Sequence, residues 1–132
     1  MTNSTSPSGD PGDYASSQWV ESQSQPGIRF QIARLSLGRR VALTRSVRAL
    51  WQRLEYHGAG QAVDDSLTQA VLSAELDAEY LRWGLVAIEG LSIDGNPASI
   101  PTLIESGPEK LCQEIIAAIK REIGLNEDER KN

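Results

Sequence analysis

The chain has 132 residues, a formal net charge of −5, one cysteine and one histidine. That length makes one domain whose core needs no staples, and the lone Cys112 excludes an intramolecular disulfide or a cysteine-rich zinc site. No stretch reaches the roughly 18 to 20 apolar residues of a membrane span, and "MTNSTSPSGDPGDY" lacks the basic start and apolar run of a secretory signal; a soluble, cytoplasmic protein is expected.

Residues 1–26 are rich in Ser, Gln, Gly and Pro and poor in large apolar side chains. Such composition buries too little surface to offset the entropy of ordering, so a disordered N-terminal tail is expected, followed by one helical domain over 27–132. In "GIRFQIARL", Ile28, Phe30 and Ile32 alternate with Arg29, Gln31 and Ala33, which predicts a short strand. Ser36 then caps a helix over about 37–57, stopped by Gly58 and Gly60. Leu37, Val41, Leu43, Val47, Leu50, Trp51 and Leu54 fall on one broad apolar stripe of that helix, with Arg40 inside it. A buried, unpaired guanidinium is costly, so Arg40 must snorkel or meet a carboxylate.

Asp64 or Asp65 caps a second helix over about 66–85, apolar on two sides. Leu67, Val71, Ala74, Ala78, Leu81 and Leu85 make one stripe; Leu72, Leu76, Tyr80 and Trp83 lie nearly opposite. A helix with two apolar faces is sandwiched within its own fold or shared with a partner. The period then drops towards two: Val86, Ile88, Leu91 and Ile93 flank Glu89–Gly90, and "DGN" at 94–96 signals a turn, which predicts a two-stranded ribbon ended by Pro97. A short helix near 100–106 stops at Gly107, and Pro108 opens the last long helix, ended by Gly124. Its apolar stripe includes Leu111, Cys112, Ile115, Ile116, Ala118, Ile119 and Ile123; "LNEDERKN" makes an acidic closing turn. The expected fold is mainly α: a small bundle of three longer helices, short helices and a minor β-hairpin.

Little here looks catalytic. His57 adjoins a helix end, where it complements the dipole, and Cys112 sits inside an apolar stripe as a small core residue. Asp64 and Asp65 read as helix caps before metal ligands, and no phosphate loop, HExxH or CxxC occurs, so neither an enzyme nor a cofactor is expected. Charge is distributed unevenly: residues 29–57 hold seven arginines against Glu55, whereas 58–132 hold fourteen acids against six bases. Arg39, Arg45 and Arg53 lie away from the centre of the apolar stripe, so this helix face could grip phosphates. The block lacks lysine, no tight turn places a second helix as a helix-turn-helix requires, and the acidic remainder attracts these arginines. Salt-bridged packing within the fold is the favoured reading of the arginines.

Three stretches in order carry a resemblance: "RFQIARLSLGRRVALTRSVRAL", "LSAELDAEYLRWGLVAIEGLSIDGNPASIPTLIESGPEKL" and "IKREIGLNEDERKN". Together, over about residues 28–132, they resemble the tail assembly chaperones of long-tailed phages and prophages. The resemblance implies a small, non-enzymatic helical protein. It would bind the tape-measure protein and keep it soluble in the host cytoplasm during tail-tube assembly, and would be absent from the mature virion. The tail-tube protein is a second candidate partner, and self-association a further option. On this reading Tyr80, Trp83, Leu72 and Leu76 line the client surface with Trp51, Arg45 and Arg53, while Leu81 and Leu85 face inward. The alternative is a small nucleic-acid-binding regulator using the arginine-rich helix 37–57.

Overall fold

A computed structural model describes residues 12–58 and 63–124. The alternating segment forms β2 (Arg29–Ala33), which buries Ile28, Phe30 and Ile32 as its period of two requires. It is the central strand of a three-stranded antiparallel sheet in the order β1-β2-β3. On one side lies β1 (Ser17–Glu21), paired from Ser17↔Ala33 to Glu21↔Arg29. On the other lies β3 (Leu85–Glu89), with Arg29↔Glu89 and Phe30↔Ile88 in register and an irregularity between Gln31 and Ile32.

Two expectations are corrected by this sheet. The domain does not begin at residue 27, because Ser17–Glu21 is a strand inside the supposed tail. Composition misses it because a polar edge strand needs few apolar side chains when its backbone is satisfied by a neighbour. The 86–93 ribbon is also not a self-contained hairpin, because β3 pairs with β2, more than fifty residues earlier. Gly90 makes the departure from β3 possible: its φ is +91°, and a Cβ there would stand 2.3 Å from the Gly27 carbonyl oxygen. The "DGN" signal instead joins the two-residue strands β4 (Ser92–Ile93) and β5 (Asn96–Pro97), with positive φ at both Asp94 and Gly95.

The fold is mainly α, with helices α1 (Leu37–Gly58), α2 (Val63–Gly84), α3 (Ile100–Ser106) and α4 (Glu109–Glu122). At the start of α1, the Ser36 hydroxyl accepts from the Arg39 amide at 3.2 Å and its carbonyl accepts from Arg40 at 2.9 Å. A reciprocal capping box of Ser99 and Thr102 opens α3, and Pro108 precedes α4. Asp64 and Asp65 lie within α2, not ahead of it; their side chains, those of Arg53, Leu54 and His57, and the "LNEDERKN" turn lie outside the described part.

The core brings together Phe30 and Ile32 of β2, Leu43 and Val47 of α1, both faces of the C-terminal half of α2, Leu103 of α3, and the predicted stripe of α4. Helix α2 packs against α1 and against α3 and α4, while α4 also meets β2. Cys112 is buried in that stripe, where its thiol points to the Leu103 carbonyl oxygen at 3.6 Å and burial raises its pKa.

Candidate partner-binding surface

The residues proposed for the client divide into two groups. Leu72, Leu76, Tyr80 and Trp83 are all buried, as are Leu81 and Leu85. The Trp83 indole N–H donates to the Arg39 carbonyl at 3.0 Å, and the Arg39 guanidinium lies 4.8 Å from the Trp83 ring centroid and donates to the Trp83 carbonyl. So Trp83 and Tyr80 are not outward-facing: α1 covers that side of α2. Arg39 is likewise not part of a free basic face. Of the opposite stripe of α2 only the N-terminal half is left open, with Leu67 and Val71 exposed, while Leu81 and Leu85 are buried; α4 is the shorter helix. Its 14 residues span about 21 Å, against about 33 Å for the 22 of α2.

Trp51 and Arg45, by contrast, are on the surface, and the outer face of α1 carries three large apolar side chains that nothing in the fold buries. Packing on α2 buries Leu43 and Val47. Leu37, Val41, Thr44, Arg48 and Trp51 lie roughly 110° round the helix, all exposed. The apolar members are 84% (Leu37), 50% (Val41) and 47% (Trp51) accessible. The stripe predicted from periodicity is thus much wider than the face the fold buries. Thr44 turns its hydroxyl back to the Arg40 carbonyl at 2.8 Å, which satisfies its polar atom within the helix.

Beside this face lies a groove of about 340 Å³, lined by Leu35, Leu43, Val47, Tyr80 and Ile123, with Arg40, Arg48 and Trp51 among its other walls. Burial raises the Tyr80 pKa, and hydrogen bonding with Trp51 offsets only part of that rise. Trp51 and Tyr80 both line the groove. Arg40 is exposed and snorkels instead of entering the core. The expected pairing of the arginine block with the acidic half is seen only in part: among the described residues Arg40, Arg45 and Arg48 form no ion pair. Arg29 does pair, at 2.8 Å with its cross-strand neighbour Glu89, and lies 4.2 Å from the Trp19 ring centroid.

A second groove, about 300 Å³, lies between α2, α3 and α4, with Ala74, Ala78, Leu81 and Ile116 in its walls and Asp77 and Glu109 beside them. Among the described residues no three His, Cys, Asp or Glu side chains cluster as metal ligands would, and no helix is long and apolar enough to cross a membrane. No family model, curated protein or solved structure matches this chain.

Proposed function

We propose that this chain is a non-enzymatic assembly chaperone of a phage or prophage tail, which binds the tape-measure protein and keeps it soluble while the tail tube forms. The observation that carries the reading is the exposed apolar face of α1, where Leu37, Val41 and Trp51 stand in line beside an apolar groove. A face of this kind is a partner surface or an aggregation liability, and a net charge of −5 keeps the uncovered chain soluble. A tape measure is a long helical chain with apolar stripes of its own, which need such a cover. The resemblance of residues 28–132 to tail assembly chaperones supports the same job.

The test is to find a very long tape-measure gene beside the gene for this chain, as the reading requires, and to co-express the two proteins. The tape measure should stay in the soluble fraction and co-purify with this chain, whereas mass spectrometry of finished virions should not find the chain. A tape measure that precipitates regardless would refute the reading. The nucleic-acid alternative draws on Arg40, Arg45 and Arg48, exposed along one helix. It requires tight, salt-sensitive binding to duplex DNA in a gel-shift titration, lost on reversing Arg45 and Arg48 to Glu. That result would displace the chaperone.

A further inference from the structure

The exposed residues of α1 are spaced as a coiled-coil seam. Leu37, Val41, Thr44, Arg48 and Trp51 are separated by four, three, four and three residues, the alternation that keeps a stripe facing one partner helix. Numbered as a heptad, Leu37, Thr44 and Trp51 take d positions, and Val41 and Arg48 take a positions. The flanks then follow: Arg40 falls at g and Arg45 at e, one on each side of the seam. Those are the positions whose charges meet the partner's charges across a coiled-coil interface. Arg48 adds a third positive charge inside the seam.

We infer that the outer face of α1 docks a single amphipathic helix whose apolar residues repeat at heptad spacing and whose flanking positions carry Asp or Glu. The inference rests on the reading of this face as a partner surface and names the chemistry of the client segment. Charge decides between occupants. A second copy of the chain pairing through the same seam would bring Arg40, Arg45 and Arg48 of both copies together, and like charges at these positions repel. A nucleic-acid backbone would meet the arginines but leave Leu37, Val41 and Trp51 with nothing to bury them. An acid-flanked amphipathic helix satisfies both. Trp51, half-exposed in the wall of the groove beside Tyr80, is the natural anchor, because large aromatic side chains that fill a pocket carry much of the energy of such interfaces.

The test uses the full chain and two synthetic helices of about three heptads, sharing Leu and Ile at a and d. One carries Glu at every e and g position, the other Lys. In calorimetric titrations the Glu helix should bind about tenfold or more tightly than the Lys helix, an advantage that shrinks as salt rises. The double variant Arg40→Glu, Arg45→Glu should reverse the preference while leaving the thermal midpoint close to the parent's, since both side chains are exposed. Equal binding of the two helices, binding of neither, or a preference untouched by the reversal would each overturn the inference. So would a stable dimer that the double variant strengthens. Failure here and failure of the chaperone reading are distinguishable. If the tape measure co-purifies equally well with the double variant, the chaperone stands and its site is elsewhere. If the helices obey the charge rule but the tape measure does not co-purify, the seam stands and the chaperone falls.

Discussion

At the scale of single residues, Trp83 and Glu114 couple parts of the chain far apart in sequence. Trp83 ties the end of α2 to the start of α1 through its indole N–H and the stacked Arg39. Replacing it with Ala opens a cavity and leaves the Arg39 carbonyl without that donor, so urea unfolding should show a loss of about 3–5 kcal/mol. Glu114 of α4 accepts from the Ser22 hydroxyl at 2.8 Å, the Ser24 hydroxyl at 2.7 Å and the Gln23 amide at 2.7 Å. Burial alone would raise its pKa, but the hydrogen bonds from Ser24, Gln23 and Ser22 prevail and hold it below the usual carboxylate value. A depressed folded pKa means stability that is present above the unfolded carboxylate's titration range and is lost as pH falls through the folded value. Thermal melts of Glu114→Gln should therefore lie below those of the parent at neutral pH. The two should converge in acid, and a gap independent of pH would contradict the clasp.

Among the elements, α2 shows most plainly how far periodicity reaches. Its two apolar stripes are both visible in the sequence, and the presence of the helix follows from them. Which stripe is covered depends on the lengths and placement of α1 and α4, and no local pattern encodes that. Neighbouring residues give the sharpest check, since Val71 is 58% exposed and Leu72 only 1%. Leu72→Ala should cost about 2–5 kcal/mol in chemical denaturation, while Val71→Ala should stay within about 0.5 kcal/mol of the parent. Equal losses would mean that the N-terminal half of α2 is covered on both sides. Tyr80 and Trp83 were expected to face outward and are buried, for the same reason. Aromatic side chains at 80 and 83 look like partner anchors until α1 is laid over them, whereas Trp51 and Arg45 do reach the surface.

For the whole molecule, the unforeseen feature is that the N-terminal segment belongs to the fold. β1 is joined to β2 by its ladder and to α4 by two carboxylates, with Gln18 donating to Glu122 at 3.1 Å and Ser22–Ser24 meeting Glu114. Glu122 also accepts from the Leu35 amide at 3.2 Å, so one side chain links the end of α4 to both β1 and the segment after β2. Removing 1–26 exposes one edge of β2 and strips Glu114 of its donors, so that truncation should lower the thermal midpoint by several degrees or more for a domain of this size. An unchanged midpoint would show that β1 adds nothing to stability.

The sequence by itself determined the mainly α class, the strand at 29–33, the turn at Asp94–Gly95, and the positions of α3 and α4. Each of these rests on neighbours within a few residues: an alternation, a capping box, a glycine with positive φ, a stripe at helical spacing. The tertiary structure alone decided the rest. The pairing of β3 with β2 and of β1 with β2 joins polar backbone groups across long stretches of chain, and side-chain pattern says little about which strands meet. It also decided which apolar stripes stay open, because burial is a property of two surfaces and the sequence of a helix specifies only one of them. On α1 that left Leu37, Val41 and Trp51 uncovered between two arginines.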